Sequence, residues 1–181
     1  MRKDGETFCE LFDRLGFKMS KWQPGTFSRK INECWYEEII ANAEDPNAPS
    51  SFFLMIKGQP DGTLVSTRVK FIFTDAQARE KLTEMAIRVL DEYAKATKWL
   101  EIAEQRQKIR ALVPFTTSLS GFSARFASEF SATGRYNLIF SRPLRLTAAQ
   151  KRTESYFDRT RFFALPPDYG GPTIEAEPAK S

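Results

Sequence analysis

The chain has 181 residues, of which 41% are hydrophobic and 13% aromatic, and its formal net charge at neutral pH is +4. Such a length and composition exclude disorder over most of the chain and predict one folded domain with a hydrophobic core. The absence of histidine excludes Ser-His and Cys-His nucleophiles and histidine-ligated zinc. Cys9 and Cys34 are too few for a disulfide framework or a four-cysteine metal site, and each adjoins an aromatic residue. We therefore expect both to be small buried hydrophobic side chains.

An N-terminal helix is predicted from Glu6 to Leu15, because apolar residues recur at the spacing of one helical face and Gly16 follows. Two segments, Phe17 to Trp22 and Phe27 to Ile40, then flank a Pro-Gly turn. Residues 28–43 fit either a helix or a strand, because one set of apolar residues is four apart and also odd-numbered: Phe27, Ile31, Trp35 and Ile39. The Pro-Gly turn favours the strand, paired with the preceding segment as a hairpin.

Two clearer strands, Ser51 to Lys57 and Thr63 to Phe73, are rich in Phe, Ile and Val and are joined by a loop that contains Asp-Gly. The second strand has Val, Thr and Phe on one face. Its other face carries Ser66, Arg68 and Lys70, so we predict that this face is half solvated. The sheet then leads directly into the longest helical pattern of the chain.

That pattern predicts one helix from Thr74 to Leu112, which begins with the capping-box sequence Thr-Asp-Ala-Gln and ends before Pro114. An unbroken helix of this length would measure about 57 Å, whereas a domain of this size is about 40 Å across. Two alternatives follow. In one, the helix breaks near Lys98 and folds back on its own domain. In the other, the second half of the helix projects and needs a partner, most simply a second copy of the chain. The candidate dimer contacts are then Trp99, Ile102, Ile109 and Val113.

Beyond Pro114, apolar and polar residues alternate in 122–130 and again in 136–140, which predicts two antiparallel strands. The Phe spacing in 122–130 leaves a helix as an alternative. A last helix is predicted from Thr147 to about Leu165, followed by a Pro- and Gly-rich tail. The predicted fold is α+β: an antiparallel sheet of about four to six strands packed against one long central helix, with short N- and C-terminal helices. We predict one domain, 1–165, and a flexible tail, 166–181.

The positive charge lies in the C-terminal part of the predicted domain. Residues 1–99 have no net charge, residues 100–165 carry +6 and the tail carries −2. A local excess of this kind attracts phosphates or acidic surfaces, which makes nucleic acid a candidate partner. The candidate contacts to an anionic ligand are Arg106, Lys108, Arg110, Arg125, Arg135, Arg142, Arg145, Lys151 and Arg152.

No catalytic motif, phosphate loop or metal-ligand spacing is present in the sequence, so we predict neither an active site nor a cofactor. Glu33, Glu37 and Glu38 are the nearest approach to a carboxylate cluster, but such residues usually form a solvated edge. The order of predicted elements, helix, strands, long helix, two strands, helix, resembles that of the small dimeric chaperones of type III secretion systems. That resemblance implies a dimer that binds another protein, although this chain is longer and more basic than those proteins.

The leading functional hypothesis is a non-catalytic cytoplasmic binding or adaptor protein that recognises a protein partner as a homodimer. The alternative is a nucleic-acid-binding module that uses the basic residues of 100–165. We predict no contact with a membrane, because no apolar run approaches the length of a spanning helix and the first residues lack the apolar core of a signal peptide.

Overall fold

The sheet and helices are seen in a computed structural model, which describes residues 5–26, 30–42, 44–99, 101–119, 122–129 and 133–142. These residues form three α-helices, one π-helical turn and seven strands of a single sheet. In chain order the elements are α1 (Gly5–Phe12), the π-helical turn (Asp13–Phe17), β1 (Gln23–Pro24), β2 (Asn32–Ile40), β3 (Ser50–Gly58), β4 (Leu64–Ile72), α2 (Ala76–Thr97), α3 (Ala103–Arg110), β5 (Phe115–Leu119), β6 (Phe122–Ser128) and β7 (Arg135–Ser141).

The seven strands follow the order β1-β2-β3-β4-β7-β6-β5, and every neighbouring pair is antiparallel. The topology repeats itself: a helical segment followed by three strands occurs once as α1 with β2 to β4, and again as α2 and α3 with β5 to β7. The last strands of the two halves, β4 and β7, pair at the centre of the sheet, where Val69 lies opposite Leu138. β2 and β5 therefore hold equivalent outer positions, with the short strand β1 beyond β2.

All three helices pack on one face of this sheet, as the apolar stripe of the predicted helix required. The centre of the layer is Tyr93 of α2, which is fully buried and stacks on Phe8 of α1 and Phe140 of β7 at centroid distances of 4.9 and 4.0 Å. Its hydroxyl hydrogen-bonds to the hydroxyl of Thr67 on β4, so the one polar atom of this ring has a partner in the core.

The prediction of one helix from Thr74 to Leu112 is wrong, and the alternative of a break near Lys98 describes the structure. Helix α2 ends at Thr97 because Lys98 adopts a left-handed conformation with φ of 57°, and the Trp99 amide donates to the Ala94 carbonyl at 2.9 Å. Helix α3 then folds back beside α2, where Arg106 binds Asp91 at 2.8 Å. The fold-back buries the second apolar stripe on the same chain, so no projecting helix needs a partner.

The capping box is a further correction. Helix α2 begins at Ala76 with Asp75 as its N-cap, whose carboxylate accepts from the Ala78 amide at 2.7 Å. The Thr74 hydroxyl lies instead 3.0 Å from the Ser50 hydroxyl and accepts from the Asn42 side-chain amide at 3.1 Å. Thr74 therefore ties the start of β3 to the start of α2, a long-range role that local spacing does not reveal.

Both segments of ambiguous period are strands: 32–40 forms β2 and 122–128 forms β6. The hairpin partner predicted for the first of them, Phe17 to Trp22, is wrong, because the short strand that precedes β2 and pairs with it is Gln23–Pro24. Strand β5, Phe115–Leu119, was not predicted, since its Ser and Thr residues hide the alternation. The predicted helix at 147–165 and tail at 166–181 lie outside the described residues, and the domain boundary at residue 165 stays a prediction.

Cys9 and Cys34 are not free, contrary to our expectation. They form a disulfide with a Cα–Cα distance of 6.3 Å, which joins α1 to β2. Both residues are buried, in agreement with the expected apolar surroundings. Sequence spacing gave no signal for the bond, because only the packing of α1 on the sheet brings the two side chains together.

Candidate open-face interface

Alternation along the strands gives the sheet a covered face and an open face. On β3 the covered-face residues, Phe52, Leu54 and Ile56, are fully buried beneath the helices. Their neighbours point the other way, and no element of the described ranges packs on that side. We call this side the open face. In the register of the sheet its residues are Glu33, Trp35, Glu37 and Ile39 on β2; Ser51, Phe53, Met55 and Lys57 on β3; Ser66, Arg68, Lys70 and Ile72 on β4; Arg135, Asn137, Ile139 and Ser141 on β7; Ser123, Arg125 and Ala127 on β6; and Thr116 and Ser118 on β5.

One end of the open face is apolar. Trp35 lies directly opposite Met55, and Phe53 is the next open-face residue along β3. Ile39 lies diagonally across from Phe53, and Glu37 separates it from Trp35 along β2. Trp35, Met55 and Phe53 are half-buried, whereas Ile39 is 67% exposed, the largest exposure of any large hydrophobic side chain among the described residues. We call these four residues the apolar patch. Contiguous apolar side chains at the surface typically mark an interaction site, whereas isolated ones do not.

The other end of the open face is basic. Arg68 and Lys70 on β4 share Glu129, which lies 2.9 Å from the Lys70 ammonium and 3.5 Å from the Arg68 guanidinium. The hydrogen bond from Lys70 lowers the pKa of Glu129 below its usual value, so the carboxylate stays charged near neutral pH. Arg125 and Arg135 are exposed and make no ion pair with another described residue. This basic end therefore retains positive charge that a partner can neutralise.

The candidate anion contacts predicted from sequence do not form one site. Arg106, Lys108 and Arg110 lie on α3, where each pairs with a carboxylate: Asp91 at 2.8 Å, Glu104 at 2.6 Å and Glu84 at 2.6 Å respectively. Arg125 and Arg135 lie on the open face, on the opposite side of the sheet from the helices. The guanidinium of Arg142 lies 5.1 Å from the ring centroid of Phe122. Arg145, Lys151 and Arg152 fall outside the described residues.

The four candidate dimer contacts also separate. Ile109 is fully buried and Ile102 is nearly so, both within their own chain. Trp99 is half-buried and lines a groove of about 530 Å³ at the corner between α2 and α3. Val113, at 46% exposure, is the candidate with the most accessible surface. A dimer stays a prediction, and in this conformation Ile109 offers no surface to it.

One convergence of carboxylates among the described residues is charge-paired. Glu38 and Glu84 line an open groove of about 420 Å³ between β2 and α2. The Lys81 ammonium lies 2.6 Å from Glu38 and the Tyr36 hydroxyl donates to it at 2.7 Å, and together they lower the pKa of the Glu38 carboxyl. Burial raises the pKa of Tyr36 to about 12. Both pKa values are shifted away from neutral pH, whereas a general acid or base works best with a pKa near the working pH.

The remaining glutamates do not form a metal site. Glu33 and Glu37 lie on the open face while Glu38 lies on the covered face, since successive strand residues point to opposite sides. Glu33 is buried and accepts from the Thr26 amide at 3.0 Å, with the Lys57 ammonium at 3.7 Å. Across the described ranges, no group of three or more His, Cys, Asp or Glu side chains is placed to hold a metal ion.

Sequence reasoning missed the apolar patch, although a signal was available. The strand predicted at 51–57 leaves open which of its two faces the helices cover. Both faces of that strand carry large apolar residues, such as Phe52 on one face and Phe53 on the other. A strand whose solvent face is also apolar predicts a buried sheet or a binding surface.

Comparison with known proteins gives a family and no function. A model of a family of unknown function, DUF6030, matches residues 1–169. No curated protein and no solved structure matches the chain at a significant level. No helix in the described ranges is long and apolar enough to cross a membrane. Since the family model spans nearly the whole chain, the chain belongs to DUF6030.

Proposed function

We propose that this chain is a non-catalytic binding or adaptor protein and that it recognises a protein partner on the open face of its sheet. The observation that supports this proposal is the apolar patch, in which Trp35, Phe53 and Met55 lie beside the exposed Ile39. Protein interfaces commonly combine aromatic and Met side chains at the centre with charged residues at the rim. The open face has this composition, because Arg68 and Lys70 on the neighbouring strand β4 lie directly opposite Met55 and Phe53.

The charges define the chemistry of the partner. Arg125 and Arg135 are exposed at the basic end, and the single carboxylate of Glu129 is already shared by Arg68 and Lys70. A partner segment that places apolar side chains on the patch and acidic side chains on the basic end satisfies both ends of the face. The partner we propose is therefore a protein surface with adjoining apolar and acidic residues.

Site-specific photocrosslinking in the native host tests this proposal. One variant carries p-benzoylphenylalanine in place of Ile39 on the open face, and a matched variant carries it in place of Lys95, whose side chain is 70% exposed on α2. We expect a discrete protein adduct from position 39, lost when Phe53→Asp is added, and no adduct of that mass from position 95. Equal labelling at the two positions, or an adduct that survives Phe53→Asp, would contradict the proposal.

Nucleic acid is the second candidate partner, and the exposure of Arg125 and Arg135 on a sheet that also carries Trp35 and Phe53 favours it. Titration with single- and double-stranded DNA and RNA at two salt concentrations separates the two functions. Binding that weakens steeply with salt and is lost in Arg125→Ala/Arg135→Ala supports nucleic acid, because phosphate contacts release counterions. The protein-partner proposal expects no such binding.

The proposed location is the cytoplasm, and the disulfide provides the test. Structural disulfides form and persist in oxidising compartments, whereas cytoplasmic thiols are kept reduced. In a cytoplasmic protein Cys9 and Cys34 should therefore be thiols in the living cell, although the structure has them bonded. Trapping with a mass-tagged maleimide at lysis counts the thiols directly. Two tags per chain support the cytoplasm, and none places the protein in an oxidising compartment.

A further inference from the structure

The two outer edges of the sheet are protected to very different extents. At the β2 edge, β1 pairs with the start of the strand. Ser20 satisfies both backbone groups of Trp35: the Ser20 amide donates to the Trp35 carbonyl at 2.8 Å, and the Trp35 amide donates to the Ser20 hydroxyl at 3.0 Å. Three glutamates also lie along this strand. Charged side chains, proline and short covering strands are the devices by which proteins prevent an edge from pairing with another chain.

The β5 edge has none of these devices among the described residues. Within the described ranges β5 pairs only with β6, in a register without a bulge from Phe115 opposite Phe126 to Leu119 opposite Phe122. Its three central residues, Thr116, Thr117 and Ser118, are uncharged and small, and proline precedes the strand without interrupting it. Five residues of flat, uncharged edge are a template for one more strand.

The hairpin register indicates which backbone groups point outward. Only two residues separate β5 from β6, and a two-residue hairpin closes on a hydrogen-bonded pair, here Leu119 with Phe122. Bonded and non-bonded pairs alternate along an antiparallel ladder, so Thr117 and Phe115 also bond to β6. The amide and carbonyl groups of Thr116 and Ser118 are then directed away from β6.

We propose that a second copy of this chain occupies this edge, with β5 of one protomer antiparallel to β5 of its partner about a two-fold axis through Thr117. This inference gives an interface to the homodimer that we predict from the sequence. With Thr117 opposite its own copy, Thr116 faces Ser118 of the partner subunit, and the outward groups of both residues are paired. The arrangement is self-complementary, as a two-fold interface must be, and no like charges oppose each other.

The position of Val113 agrees with this interface. It lies two residues before β5 and is 46% exposed, the second of the two large hydrophobic side chains that the described part of the chain leaves exposed. Of the candidate dimer contacts, Val113 is therefore the one nearest the proposed axis in sequence. Trp99 and Ile102, at the far end of α3, take no part.

Pairing of this kind would join the two open faces into one. The two-fold axis is perpendicular to the sheet, so both open faces lie on the same side of a continuous sheet. Because β6 is next to β5, Arg125 of each protomer lies near the centre of the joined face. The two positions are about 16 Å apart, from three strand spacings and a two-residue offset along the strands. The apolar patches lie at the two outer ends, and a partner meets two copies of the patch around one basic centre.

A charge-swap experiment tests the interface. Thr116 and Ser118 point to the open face, away from the core, so lysine or glutamate at both positions should leave the fold unchanged in circular dichroism. In sedimentation velocity at several concentrations, we expect wild type at twice the 20.8 kDa mass of one chain. Thr116→Lys/Ser118→Lys and Thr116→Glu/Ser118→Glu should each be monomeric, and their mixture should recover the dimer.

Each outcome decides the inference. A wild-type protein of 20.8 kDa at every concentration overturns it, and so does a dimer that survives in both charged variants. Gln77→Lys/Glu80→Lys, on the exposed side of α2, is the matched control and should leave the dimer intact. The result is independent of the proposed function, because a monomer that still crosslinks from position 39 removes only the edge pairing and keeps the docking face.

Discussion

Phe52 and Phe53 are neighbours on β3, yet they belong to surfaces of opposite character. Phe52 is fully buried under the helices, where it stacks on Phe17 at a centroid distance of 5.9 Å. Phe53 is half-buried on the open face, where its cross-strand neighbours are Glu37 and Lys70. Each strand therefore contributes to the core on one side and supplies an interaction surface on the other.

The two faces also differ in how their polar groups are satisfied. On the covered face the Tyr93 hydroxyl bonds to Thr67 in a site from which water is excluded, and burial raises the pKa of that tyrosine. On the open face the polar groups form a partly hydrated network in which Asn137 donates to Glu129 at 3.1 Å and accepts from Arg68 at 2.9 Å. The comparison leads us to expect that most of the stability resides in the covered layer.

The largest expected difference between the faces is measured by a matched pair of truncations. Phe52→Ala should lower the free energy of unfolding by about 3–5 kcal/mol, because it leaves a cavity in a closed core. Phe53→Ala should lower it by only about 1 kcal/mol, because the side chain already contacts water. Chemical denaturation of the two variants measures both values. Equal losses would show that the open face is covered in the folded protein.

Reduction of the disulfide should have the next largest effect. The Cys9–Cys34 bond closes a loop with a sequence separation of 25 and holds α1 against the covered face. Its reduction should lower the free energy of unfolding by about 3 kcal/mol, mainly because the unfolded chain gains conformational entropy without the cross-link. Thermal melts with and without reductant measure the shift. Cys9→Ala/Cys34→Ala is the control, since its melting temperature should equal that of the reduced protein and should not respond to reductant.

The smallest effect concerns pH and the open face. The pKa of Glu129 is lowered in the folded state, mainly by Lys70, so its ionised form favours folding. This stabilisation is fully present above the usual carboxyl value of 4.5 and is lost as the pH falls through the lower folded pKa.

Glu129→Gln should therefore flatten the acid side of the stability profile while changing little once the pH lies below the lowered folded pKa of Glu129. Glu37→Gln on the same face is the control, because Glu37 forms no ion pair with a described residue. An unchanged acid limb in Glu129→Gln would show that the network around Lys70 does not stabilise the fold.

The sequence by itself determined the features that depend on neighbours along the chain. Alternation in 64–72 and 122–128 predicted strands and their faces, the Asp-Gly turn located the β3–β4 hairpin, and the three-and-four spacing after Asp75 predicted the covering helix. These signals are reliable because the period of a strand or helix is a property of a few consecutive residues.

Only the tertiary structure decided the rest. The end of α2 at Thr97, the disulfide, the strand character of 115–119 and the place of β7 beside β4 all depend on residues far apart in sequence. The helical period runs on past Lys98, so the break is decided by the burial that α3 gains against α2. The apolar patch has the same origin: a strand can show two apolar faces, but which face the helices cover is settled by packing alone.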